Sequence, residues 1–260
     1  MPLKKLEFTY NYCKSNIVGF TLVLIMIFLL NQMDILLPSY QGEMYWTLMI
    51  LVVIIGLIFH GYGLVVTKDN INNGKSLPKL PFYKSFVFGI KSSVIVSIYG
   101  ALQYAAYYFV SAAFDFPLIT IDEGRITVSK LNTLFYSHGS LDTILFVLFI
   151  IISTYTFIFF MEISLARLAD KGSLIESLNI ISVGRCIETI GWGNYAVDYT
   201  KLIIAIAILA YIQYGLNFIV AHPIINVFIG LVMFIIQYIG IGRIYRTYID
   251  KKYGKNYNRP

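Results

Sequence analysis

Long apolar runs alternate with short polar stretches along this chain. Six runs approach the roughly 20 residues that an α-helix needs to cross a bilayer. They predict spans over about residues 17–37, 45–66, 86–114, 141–161, 198–220 and 223–242, with helix already beginning near Phe82 in the third. The first run is the weakest, because Asn31, Gln32 and Asp34 interrupt its far end. It follows MPLKK as a signal peptide would, but no A-x-A-like site follows it, so it reads as an uncleaved span. The fold class expected is all-α: a polytopic transmembrane helix bundle. Its parts are an interfacial N-terminus (1–16), a six-span membrane domain (17–249) and a basic tail (250–260).

The polar stretches carry stop and start signals. Between the second and third runs, Asn72-Asn73-Gly74 is turn chemistry, since Asn and Gly tolerate positive φ. Pro78 and Pro81 exclude regular helix there. Lys84 and Lys91 lie seven residues apart on one helix face and can both reach back to the same interface. Residues 115–140 form the longest loop. Apolar–polar alternation on both sides of Glu123-Gly124 predicts a hairpin. The fourth helix continues through Glu162 and Arg167 until Gly172 stops it. Ser173 with Glu176 then fits a capping box for a new helix over 173–190.

Within 173–190 the apolar positions switch faces. Leu174, Leu178 and Ile181 cluster on one side, and Val183, Ile187 and Ile190 on nearly the opposite side. A straight amphipathic helix cannot place both sets in one apolar layer. The favoured reading is a break near Ser182–Gly184; the alternative is a straight helix with its first half against lipid and its second against protein. Either way the segment lies along the interface. Gly191 to Tyr195 predicts a turn before the fifth span, and His222-Pro223 a tight turn before the sixth. The basic loops after spans two and four share a general plan, which suggests a repeat of hairpins 2–3 and 4–5.

Charge sets the orientation. Of the 20 Lys and Arg, only Arg125 and Lys130 fall on one side of the predicted spans; the other 18 fall on the opposite side. Positive residues accumulate in cytoplasmic loops, so both termini are expected in the cytoplasm. Cys13 and Cys186 fall on that same reducing side, where a disulfide is not expected.

Composition excludes whole classes of protein. The chain is 58% hydrophobic and 13% charged, with mean hydropathy +0.72; soluble domains carry about 25% charged residues. The net charge of +6 sits at the ends of apolar runs. That placement suits anionic lipid headgroups and provides no basic face for nucleic acid.

Several of these residues carry a resemblance. Gly61-Tyr62, Gly74, Leu77-Pro78, Gly89-Ile90-Lys91 and Tyr99 stand in order, followed by Ala166 to Gly172 and by Gly193-Asn194-Tyr195. This pattern resembles the polytopic membrane-protein family known as domain of unknown function four thousand and thirteen, found largely in methanogenic archaea. The resemblance covers about residues 45–250. Where that family carries acidic residues after its Leu-Pro pair, this chain has Lys79, Pro81 and Lys84. The resemblance implies an archaeal membrane protein and supplies no activity, cofactor or catalytic residue.

Candidate chemistry inside the spans is sparse. Glu162 is expected at the inner interface, in an ion pair with Arg167. His60, His138 and His222 lack partners at metal-ligand spacing, so no metal or cofactor is expected. Gln103, Gln213, Asn217 and Gln237 are the uncharged polar groups within spans, ringed by tyrosines. Amides in such places join helices or line a solute path. No Ser-His-Asp order, HExxH, phosphate-binding glycine loop or carboxylate pair appears, so no enzyme is expected. Two readings follow: a non-enzymatic accessory module of the cell membrane that binds other membrane proteins or lipid, or a small transporter with a neutral polar path through spans three, five and six. They differ in whether the four amides meet in one cavity.

Overall fold

The computed structural model of the chain describes residues 15–37, 41–74, 76–113, 140–219 and 223–254, without the side chains of 34–36, 140, 217–219 and 223. Within these residues the regular secondary structure is helical, with no strand. The helices are α1 (Ile17–Leu36), α2 (Glu43–Ile71), α3 (Phe82–Ala113), α4 (Ser140–Lys171), α5 (Leu174–Leu178), α6 (Ile180–Ile190), α7 (Trp192–Ile219) and α8 (Pro223–Tyr253). Five of them, α2, α3, α4, α7 and α8, are long and apolar enough to cross a membrane. The apolar stretch of α1, Ile17–Met33, is shorter. The predicted hairpin around Glu123-Gly124, Cys13, His138 and the turn at His222 lie outside the described residues.

Residues 1–95 and 162–260 make one compact unit, and residues 96–161 a second; α3 and α4 each run from one unit into the other. The larger unit is built on α8, which packs against α1, α2, α6 and α7. Large apolar side chains such as Ile50, Phe109, Ile152, Ile208 and Phe228 point outward and are exposed. Hydrocarbon is a good solvent for that surface. The chain is a multi-pass membrane protein.

The helix ends follow the local chemistry. Asn16 caps α1 through its Oδ1, which accepts from Gly19 N at 3.0 Å. α2 continues to Ile71, past the expected end near 66. Its polar last turn is tied down by Thr67 Oγ1, which donates to the Tyr238 carbonyl at 3.1 Å. The turn that follows has Asn73 at φ 59, where Asn is tolerated. Gly172 has φ 71 and ends α4, its amide donating to Leu168 O at 2.8 Å. Without a Cβ it meets no penalty there. Ser173 Oγ then accepts from Glu176 N at 3.4 Å, opening α5.

Two boundaries correct the reading from sequence. The break in 173–190 falls at Asn179, not at Ser182–Gly184. Asn179 has extended geometry, and its Oδ1 accepts from Ser182 N at 3.0 Å to start α6. Gly184 simply continues that helix. Asn caps a new helix actively, whereas Gly only weakens an old one. Of the first predicted set only Ile181 is exposed, with Leu174 and Leu178 half-buried, while Val183, Ile187 and Ile190 of the second set are all buried. The second correction concerns 191–195. Gly191 alone makes the turn, at φ 93, and α7 begins at once with Trp192.

Candidate functional site

Three amides within the long helices bond neighbouring helices, while hydroxyls such as Ser93, Ser153 and Thr156 bond a carbonyl of their own helix. In the smaller unit, Gln103 Nε2 of α3 donates to Thr154 Oγ1 of α4 at 2.7 Å. Nearby, Phe146 is buried against Tyr107, Val110 and Ile150. In the larger unit, Gln213 Nε2 of α7 donates to Asn226 Oδ1 of α8 at 3.2 Å. Gln237 Nε2 of α8 donates to Glu162 Oε1 of α4 at 3.1 Å. Each of these three amides has its own partner on an adjacent helix. The side chain of Asn217 lies outside the described residues.

The expected ion pair between Glu162 and Arg167 is not formed. Five residues apart on one helix, the two side chains point in different directions. Glu162 is buried and bonds Gln237. Arg167, also buried, reaches across to α5 and α6. Its Nε and Nη2 donate to Glu176 O at 3.3 and 3.1 Å, and its Nη1 donates to Ser182 O at 3.4 Å and to Cys186 Sγ at 3.0 Å. One guanidinium thus ties together α4, the end of α5 and the start of α6. Its rigid fork of donors suits it to three carbonyl and thiol acceptors at once.

Other cations do the same work at helix C-termini, where unpaired carbonyls leave partial negative charge. Lys91 Nζ of α3 donates to Gly172 O, just past the end of α4, at 2.6 Å. Arg246 Nη1 of α8 donates to Ile71 O, the last residue of α2, at 2.9 Å, while its Nε pairs with Asp250 at 2.6 Å. Lys251 Nζ of α8 donates to Ile190 O, the last residue of α6, at 2.8 Å. Sequence reasoning sent Lys91 back to the headgroups with Lys84. Lys84 is exposed, but Lys91 holds a helix end. The signal available was the single glycine stop at Gly172, which exposes a carbonyl.

A second polar link lies one residue from Gln237. Tyr238 OH and His60 Nδ1 are 3.1 Å apart, joining α8 to α2. The Tyr238 ring occupies a notch at Gly63, where any Cβ would overlap it. Gln237 and Tyr238 therefore connect Glu162 on one side and His60 on the other. Among the described residues, no group of three or more His, Cys, Asp or Glu is placed to hold a metal ion.

The residues that carried the family resemblance are contact points of the frame. A Cβ on Gly61 would overlap the Ser85 carbonyl, and one on Gly89 the Leu57 carbonyl, so α2 and α3 touch backbone to backbone here. Tyr62 is fully buried and its OH donates to Pro78 O at 2.7 Å. Leu77 N donates to Ser15 Oγ at 3.0 Å and Leu77 O accepts from Asn16 Nδ2 at 3.2 Å, which pins the central loop to the start of α1. Tyr195 is buried and stacks on Tyr199 at 5.8 Å.

The pattern that defines the family described as "Protein of unknown function (DUF4013)" matches residues 45–221, more than half of the chain. The chain belongs to that family. No curated protein and no solved structure matches it.

Proposed function

We propose that this DUF4013 member is a non-enzymatic module of the cell membrane that binds other membrane proteins or lipid. The observation that carries the reading is the use made of its polar groups. Gln103, Gln213 and Gln237 each bond one neighbouring helix. Arg167, Lys91, Arg246 and Lys251 each hold the carbonyl end of another helix. Chemistry of this kind fixes a scaffold. The outward apolar side chains then offer the scaffold to lipid or to apolar faces of other proteins. In this reading the chain crosses six times, with both termini cytoplasmic, because 18 of 20 Lys and Arg then lie inside.

The second reading, a small transporter, draws on one observation: buried Glu162 and exposed His60 are linked to adjacent positions of α8. Ionisable groups within spans often mark an ion path. Affinity purification from the native membrane in mild detergent separates the two. The accessory reading predicts a constant stoichiometric protein partner or tightly retained lipid. A chain that purifies alone and lipid-free, and that conducts protons in proteoliposomes unless Glu162→Gln is introduced, contradicts it.

A further inference from the structure

Among the described residues the buried side chains of Asp, Glu, Lys and Arg are Glu162, Arg167, Asp170 and Arg246. Three of them have an opposite charge at hand. Arg246 Nε pairs with Asp250 at 2.6 Å. Arg167 and Asp170 stand three residues apart on α4, neighbours on its surface. Glu162 differs. It lies nine residues before the end of α4, about 14 Å along the axis at a rise of roughly 1.5 Å each. Its partner is a neutral amide: Gln237 Nε2 donates to Oε1 at 3.1 Å. Among the described residues, no Lys, Arg or His forms a salt bridge with it.

A carboxylate shut away from water needs a cation or several donors to offset its lost hydration. One amide does not supply that. A neutral acid carries no such cost, and the bond already suits it. Oε1 accepts from Gln237 as a carbonyl oxygen does, which leaves Oε2 to carry the hydrogen. A metal ion does not take the place of that hydrogen: among the described residues, Glu162 belongs to no group of three His, Cys, Asp or Glu able to hold one. Gln237 also turns its donor toward the carboxyl group, and a cation would need its carbonyl. The neighbouring titratable group on α8, Tyr238, is engaged with His60 at 3.1 Å, and Arg167 reaches away to α5 and α6. We propose that Glu162 is a proton-binding site in a membrane-spanning helix: a neutral acid at neutral pH, protonated on Oε2 and joined to α8 through Oε1. The inference goes beyond the function proposed above and does not depend on it, since a proton held here suits a scaffold and a transporter alike.

The test is infrared difference spectroscopy of the full chain in lipid vesicles at neutral pH, wild type minus Glu162→Gln. Exposed carboxyl groups are ionised there, so a protonated glutamate stands apart as a carboxylic-acid carbonyl band that moves in deuterium oxide. The band should be present in the wild type and lost in Glu162→Gln. Glutamine keeps the shape and neutrality of the acid, so this variant should unfold at the wild-type temperature, which separates loss of the band from loss of the fold. Glu176→Gln, at an exposed glutamate, should leave the band in place. Gln237→Leu removes the donor to Oε1, and the band should then persist and move to higher frequency. Three results overturn the inference: a carboxylate band lost in Glu162→Gln where the acid band was expected, an acid band that survives that substitution, or a band indifferent to Gln237→Leu. Failure here leaves the accessory reading standing, because that reading needs only the bond to Gln237 and is judged by what co-purifies with the chain.

Discussion

Gly61 and Gly89 show what a missing side chain does in this protein. Each sits where the backbone of the facing helix occupies the space a Cβ would need. Close approach of this kind strengthens packing in a bilayer, where no hydrophobic force drives helices together. Gly61→Ala should therefore destabilise the chain by about 1–3 kcal/mol, since the intruding methyl meets backbone that cannot rotate away. Gly56, one and a half turns earlier on α2, has open space at its Cβ position. Gly56→Ala should be neutral, or stabilising by up to about 1 kcal/mol from helix propensity. Thermal unfolding of the two variants in one detergent gives the comparison. Equal melting temperatures would mean that α2 and α3 do not touch at Gly61.

Among the elements, the α5–α6 pair is the most informative. Its exposed isoleucines are Ile175 in α5 and Ile180 and Ile181 in the first turn of α6, and its buried set, Val183, Cys186, Ile187 and Ile190, begins at Val183. Arg167 fixes the pair against α4 from the protein side. An interfacial placement of this segment puts the residues up to Ile181 against lipid and the set from Val183 against protein. Spin labels at 175 and 187 should then behave differently: mobile and lipid-accessible at 175, immobilised at 187. Cys186 should resist thiol reagents in the folded protein, because it is buried and bonded to Arg167. Rapid modification of Cys186 without unfolding, or two equally mobile labels, would contradict this placement.

For the molecule as a whole, hydropathy made the helices legible and charge suggested their direction. Apolar runs report themselves because lipid tolerates few interruptions. The stop at Gly172 and the cap at Ser173 were legible because both act locally. Pair contacts were not. The Glu162–Arg167 pairing looked right along the chain, but the partners of both residues lie on other elements, at Gln237 and at Glu176, Ser182 and Cys186. The gaps at Gly61 and Gly89 can be seen only when two helices are set side by side. The cations gathered on one side of the spans have two uses that the sequence cannot separate, since topology and helix capping both put Lys and Arg at the same ends. A fluorescent reporter that matures only in the cytoplasm, fused after Pro260, should be bright if both uses hold. An intact but dark fusion would leave capping as the reason for the charge bias and reverse the orientation.

The central claim is that polar groups within the spans hold helices together, and the Glu162–Gln237 bond is its most direct test. The measurement is a double-mutant cycle of Glu162→Leu and Gln237→Leu, read as unfolding free energy in bicelles. A structural hydrogen bond between α4 and α8 predicts a favourable coupling of about 0.6–2 kcal/mol. Strictly additive single mutants, with proton conduction into proteoliposomes that disappears in Glu162→Gln, would contradict the account and make Glu162 part of a path.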